Sequence, residues 1–176
     1  MASNDPDFLE AVEGLKRGDF TRLDPLFVPR ADHPARIMAW CDLGYFDTEP
    51  EALAEALSCA CFNGRTDVAH FLMDKRVAPE GGAGTGMNAL HWAANRGQVE
   101  AVRLLVDRKA PLEAENAYGG TVLGATVWAA INEPKPGQLE VLHLLLQAGA
   151  KVDRAGYPTG NEAVDEVFKR HGAGTY

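Results

Sequence analysis

The 176-residue sequence predicts an all-α fold, a solenoid of stacked helix–turn–helix units, from three observations. A fixed period of 33 residues separates Leu57 from Leu90, Leu90 from Leu123, Gly64 from Gly97 and Asp67 from Glu100. Within the periods, apolar residues recur at helical spacing: Val99, Val102, Leu105 and Val106 in 98–108, then Leu139, Leu142, Leu145 and Leu146 in 138–147. Each of these amphipathic stretches follows an alanine-rich one, Ala89 to Asn95 and Val122 to Ala130, whose small side chains allow close helix–helix approach. A helix pair of this size cannot cover its own apolar face, so it must stack on copies of itself.

From the N-terminus, Pro6 to Gly18 reads as a helix with Phe8, Leu9, Val12 and Leu15 on one side, Asn4 or Asp5 as its cap and Gly18 as its stop. Residues 20–28, with Leu23, Leu26 and Phe27, form a second short element that pairs with the first as a degenerate unit. A further helix spans Pro34 to Gly44 with Ile37, Met38, Trp40 and Leu43, followed by a linker through Thr48-Glu49-Pro50. Fifty residues rarely bury enough surface alone, so 1–50 is expected to be a divergent helical cap packed on the stack.

The repeats occupy about 54–86, 87–119 and 120–153 within a region 51–153. Glycines 64, 97 and 137 mark the turn between the two helices of each unit, a place for positive φ. The last unit breaks phase: Gly97 to Gly137 and Glu100 to Glu140 are both 40 residues, which places a seven-residue insertion near 129–136. After Ala150 the next Gly-Ala arrives only 23 residues later, at Gly172-Ala173. One helix and its turn are therefore missing, and 154–176 is expected to hold a lone capping helix, Glu162 to Arg170, begun near Thr159 or Asn161 with Val164, Val167 and Phe168 facing inward.

Specific motifs give these units a family. Asn88-Ala89-Leu90-His91-Trp92-Ala93-Ala94, Thr121-Val122-Leu123-Gly124, the hairpin Asn116-Ala117-Tyr118-Gly119-Gly120-Thr121 and the ending Leu144-Leu145-Leu146-Gln147-Ala148-Gly149-Ala150 resemble ankyrin repeats. The chain is similar to an ankyrin-repeat solenoid with hairpin loops, about three repeats long, strongly over 55–155, in part over 156–173 and weakly over 1–50. Its Tyr-Gly-Gly-Thr hairpin and inserted final inner helix resemble short stand-alone ankyrin proteins of bacteria. The sequence departs from the family where Thr and His usually tie neighbouring repeats: repeat two has Asn88 with His91, and repeat three has Thr121 with Gly124.

The resemblance implies a protein-binding surface made of hairpin tips and inner helices on the concave side. Carried onto this chain, the implied partner-binding residues are Phe62 and Asn63 in repeat one, Thr85, Met87, Trp92, Asn95 and Arg96 in repeat two, and Ala117, Tyr118 and Trp128 in repeat three. Asn132 and Glu133 of the insertion extend that edge. Met, aromatic and Arg residues are those enriched at interface hot spots, which singles out Met87, Arg96, Tyr118 and Trp128. Trp92 and Trp128 could instead serve packing, the first between repeats and the second under the insertion.

Bulk properties bound the partner. A hydrophobic fraction of 46% and a charged fraction of 24% are ordinary for one globular domain. A net charge of −8 argues against nucleic acid and against anionic membranes. No apolar run approaches the roughly 18 residues of a spanning helix, and the first residues lack a signal-peptide pattern, so a cytoplasmic monomer is expected.

Catalytic chemistry finds little support. Cys41, Cys59 and Cys61 have no metal-ligand spacing, and Cys61 reads as a small buried hydrophobe. The histidines at 33, 70, 91, 143 and 171 are scattered, His91 with a structural role in its repeat and the others solitary. No metal, cofactor or catalytic residue is expected. The alternative is a small-ligand binder or enzyme built on the glycine-rich run Gly81–Gly86 or on a cleft beside the N-terminal cap. That run lacks both the Gly-x-Gly-x-x-Gly spacing and a following Gly-Lys-Ser/Thr, and reads as a flexible hairpin finger.

Overall fold

A computed structural model describes residues 4–82 and 84–174. Among these, ten α-helices form and no β-strand: α1 (Pro6–Arg17), α2 (Phe20–Leu23), α3 (Arg36–Asp42), α4 (Pro50–Phe62), α5 (Thr66–Asp74), α6 (Ala89–Asn95), α7 (Val99–Asp107), α8 (Val122–Asn132), α9 (Gln138–Gln147) and α10 (Glu162–Arg170). Two short 3-10 turns, Asp24–Phe27 and Tyr45–Thr48, join the N-terminal elements. Ala83 of the glycine-rich run and the last two residues lie outside the described chain.

The helices form two layers. Inner helices α4, α6 and α8 pack side by side, as do outer helices α5, α7 and α9, and each inner helix pairs with the outer one that follows it. Alanine accounts for the inner spacing: Ala52, Ala56, Ala60, Ala89, Ala93, Ala94 and Ala129 are all buried. The outer helices contribute the larger apolar side chains, such as Leu72, Leu105 and Leu142, and a single core runs from Phe8 to Phe168.

Glycine is required at the turn between α6 and α7 for two reasons. Gly97 adopts φ 69°, and a Cβ there would lie 2.2 Å from the Pro136 carbonyl oxygen of the next unit. The residue that follows each turn glycine is also repeated in role. The Gln98 side chain donates to the Phe62 carbonyl at 3.2 Å, and Gln138 to the Asn95 carbonyl at 2.7 Å. One unit earlier, Arg65 reaches Asp24 of the cap at 2.8 and 2.6 Å. Each turn is thereby tied to the preceding layer.

The N-terminal cap departs from its expected pairing. α1 extends the inner layer against α4, but the outer position beside α5 is taken by α3, not by residues 20–28. The cap core is aromatic: Phe8 meets Trp40, Tyr45 and Phe46 edge to face at 5.0–5.4 Å. No linker follows, because Tyr45–Thr48 turns directly into α4, whose first residue is Pro50. Asp5 caps α1 through Asp7 N–H, Gly18 ends it at φ 77°, and Asn161 caps α10. Leu9, Leu43 and Leu139, expected on buried faces, are exposed. Leu9 lies off the Phe8–Val12–Leu15 stripe, Leu43 follows the end of α3, and α9 buries Val141 in place of Leu139.

Candidate functional site

Segment 116–121 closes as a tight loop because Asn116 Oδ1 accepts from the N–H groups of Tyr118 and Gly120 at 2.9 and 3.0 Å, while Glu115 and Thr121 bridge its base. That loop leaves Tyr118 94% exposed. Thr121 then caps α8 through Gly124 N–H at 3.2 Å. The expected insertion enters as an added turn of this inner helix, which runs on to Asn132, where the side chain donates to the Trp128 carbonyl at 2.8 Å. One helical turn apart, Trp128 and Ile131 project outward at the surface, Trp128 55% exposed.

Opposite them lies segment 154–159. Gly124 occupies the register position of His91, and a Cβ there would sit 3.0 Å from the Arg154 carbonyl oxygen. The lost histidine thus lets the chain after the last repeat lie close to α8. Arg154 secures the segment by donating to the Gly119 carbonyl at 2.8 Å and by pairing with Glu115. The result is an apolar groove of about 700 Å³ between Tyr118, Trp128 and Ile131 on one side and Arg154, Ala155 and Thr159 on the other.

The remaining expected contact residues divide into two groups. Phe62, Asn63, Thr85 and Trp92 are half-buried and join the cap to the stack. Phe20, Phe62 and Trp92 pack edge to face at 5.3–5.6 Å, and Asn63 donates to the Phe20 carbonyl at 2.9 Å. Arg96 lies exposed over Phe62, 4.6 Å from the ring centre. Ala117 sits at the exposed hairpin beside Tyr118, its N–H donating to the Gly86 carbonyl at 3.0 Å. Met87 and Asn95 are half-buried, and Asn132 and Glu133 are exposed at the end of α8. The structure brings Tyr118, Trp128 and Asn132 together in the groove and places Phe62, Asn63, Thr85 and Trp92 around the cap junction.

Two residues of the glycine-rich run, Gly84 and Thr85, are held by a buried side chain. Gly84 N–H and Thr85 N–H donate to Glu55 Oε1 at 3.1 Å each, and the Thr85 hydroxyl adds a third contact at 3.4 Å. Glu55 is fully buried on α4. Burial pushes its carboxyl above the usual range, and the donors from Thr85 and Gly84 only partly oppose this. These amides already serve the Glu55 carboxyl, and Glu51, Glu80 and Glu115 line the small cavity beside them, which disfavours a phosphate. Sequence reasoning missed Glu55; the signal was a glutamate inside an otherwise apolar inner-helix face.

His91 is buried, with Nδ1 2.9 Å from Asn88 Oδ1 and Nε2 3.2 Å from the Gly120 carbonyl. Asn88 Oδ1 also accepts His91 N–H at 2.9 Å, so asparagine performs the cap that threonine performs at Thr121. Burial lowers the His91 pKa despite the Gly120 contact. His143 and His171, expected to be solitary, meet at 2.7 Å, and His171 is lowered by burial first and by its neighbour second. Cys61 is pushed up to about 12 by burial, which leaves it an unreactive thiol. Among the described residues no three His, Cys, Asp or Glu side chains cluster to hold a metal, and no helix is long and apolar enough to cross a membrane.

A family model for ankyrin repeats in three copies matches residues 57–155. The chain belongs to the ankyrin-repeat family. It is 33% identical over 98 residues to the human Ankyrin repeat and KH domain-containing protein 1, a match covering 56% of this chain and 4% of that protein. It is 34% identical over 98 residues to Ankyrin repeat and KH domain-containing protein mask of Drosophila melanogaster, with 56% of this chain and 2% of that protein covered. The chain thus spans a small fraction of these relatives. The crystal structure of the human ASB11 ankyrin repeat domain superposes with a TM-score of 0.56 at 18% identity, covering 93% of this chain and 83% of that one, which shows the shared fold. Ankyrin repeats are protein–protein interaction modules, typically without enzymatic activity.

Proposed function

We propose that this ankyrin stack binds a partner protein through the inner-helix and hairpin face, as an adaptor, an inhibitor or an immunity-type antagonist. The partner segment seats in the groove beside α8. The observation that carries this reading is the grouping of Tyr118, Trp128 and Ile131 around one cavity of about 700 Å³. Exposed aromatics lining a concave apolar surface are the usual anchors of an interface. Met87, Asn95 and Arg96 on the preceding repeat extend the contact, and Asn132 and Glu133 form its rim. Phe62, Asn63, Thr85, Trp92 and Ala117 support that surface by holding the hairpins and the cap in place.

A Tyr118→Ala, Trp128→Ala double variant tests the assignment, since both side chains are exposed and their removal leaves the core intact. In quantitative capture from cells of the source organism, the protein most enriched by the wild type should be lost with this variant. It should be retained with Arg103→Ala on the outer helices. With that partner purified, affinity should fall by about 3 kcal/mol or more, roughly a hundredfold. Unchanged affinity in the double variant would move the site elsewhere on the stack.

A further inference from the structure

The N-terminal cap carries a second, open-mouthed pocket, about 270 Å³ in volume and separate from the groove beside α8. Pro25, Leu26, Val28, Pro34 and Ala39 make its walls apolar, and Arg30, His33 and Arg36 complete the lining.

The turn that carries Arg30 and His33 is built to aim them together. Arg30 N–H donates to the His33 carbonyl at 3.0 Å, and His33 N–H returns to the Arg30 carbonyl at 2.6 Å. Residues opposed in this way in an antiparallel pair project their side chains from the same face. Guanidinium and imidazole therefore emerge side by side at the pocket. Closing the turn in two residues forces Ala31 to φ 36°, a left-handed conformation that an L residue adopts only at a cost.

Arg30 carries an uncompensated charge. Most arginines of this acidic chain are paired, such as Arg65 with Asp24 at 2.6 Å and Arg108 with Asp74 at 2.6 Å. Arg36 is itself neutralised by Asp7 at 2.7 Å and lies 4.7 Å from the Trp40 ring centre, so it serves as wall. Among the described residues no carboxylate lies within ion-pair distance of Arg30. An unpaired guanidinium beside an apolar enclosure complements one ligand class: an anionic head on an apolar body.

We infer that this pocket binds a small monocarboxylic acid with an aryl or branched alkyl body. The carboxylate sits on the Arg30 guanidinium, with His33 beside it, and the apolar body lies among Pro25, Leu26, Val28 and Pro34. A bidentate Arg–carboxylate contact supplies orientation as well as attraction. With Arg36 already held by Asp7, the mostly apolar lining favours a singly charged head over a phosphate.

Calorimetric titration of the whole chain with 4-phenylbutanoate and with its uncharged primary amide tests this. The acid should saturate the wild type with a dissociation constant at or below about 1 mM. The amide should bind at least about tenfold more weakly, as should the acid to Arg30→Gln. Val28→Glu, which places a negative charge at the exposed wall, should abolish binding of the acid with an unchanged far-UV spectrum. Equal binding of acid and amide, undiminished binding to Arg30→Gln, or no saturable binding of the acid would each overturn the proposal.

Discussion

At the scale of single residues, polar groups buried in this stack hold one unit to the next, and their ionisation sets how the protein responds to acid. His91 is the clearest case, because its ring reaches from α6 to Gly120 in the hairpin of the following repeat. Burial lowers its pKa in the folded chain, while the unfolded chain titrates near the ordinary value of about 6.5. Below that value the unfolded state takes up the proton first, so the stability present above it is lost as pH falls. The urea midpoint should therefore drop between pH 7.5 and 5.5, and the drop should shrink in His91→Gln, measured against wild type by circular dichroism. Glu55 acts in the opposite direction, since its raised pKa favours the folded state as pH falls. The histidine was legible as structural from its motif. Glu55 was not, because a charged residue on a mostly apolar helix declares its partners only when the Gly84–Thr85 loop folds over it.

At the scale of elements, helix ends show where the repeat has drifted from its best local chemistry. Arg76, Lys109 and Gly149 occupy equivalent places just after the outer helices, and all three adopt positive φ. Glycine meets this need without strain, whereas an L side chain in the left-handed region costs about 1–2 kcal/mol, partly offset by the extra entropy that glycine loses on folding. Lys109→Gly should therefore raise unfolding free energy by about 0.5–1 kcal/mol in urea titration. No change, or a loss, would mean that the exposed lysine stem contributes more than the backbone does. The helices of repeats two and three, and α10, were readable because apolar spacing and caps are local properties. The cap was harder: α3 takes the outer position beside α5, and its Trp40 packs edge to face on Phe8, a pairing that no period encodes. The insertion was visible as seven surplus residues, but its conversion into extra helix depended on the Trp128–Asn132 contact at the end of α8.

At the scale of the whole molecule, repeats and caps share one core, and Phe20 is the joint between cap and stack. It is fully buried, touches Phe62 and Trp92, and offers its carbonyl to Asn63. Deleting a buried phenylalanine side chain costs about 3–5 kcal/mol. In Phe20→Ala this loss should appear in one cooperative transition, with tryptophan fluorescence and far-UV circular dichroism coincident. Separate transitions would show that the cap and the repeats fold as independent bodies. The open end of the molecule is organised differently: α10 covers α9 and part of α8, yet leaves Trp128 and Ile131 beside segment 154–159. That incomplete cover is the physical origin of the groove proposed as the partner site.

The repeat, its period, the amphipathic helices and the ankyrin family are legible in the amino-acid order, because each is written in spacings of 33 residues or fewer and in local turn chemistry. The sequence also singles out Met87, Arg96, Tyr118 and Trp128 by residue type among the hairpins and inner helices. That Tyr118 and Trp128 share a groove with the chain after the last repeat, and that Phe62 and Trp92 turn toward the cap, is set by tertiary contacts. Those outcomes depend on contacts between residues far apart in the chain. Gly124 admits the Arg154 backbone, Phe20 fills the space beside α4 and α6, and neither pairing is specified by local periodicity.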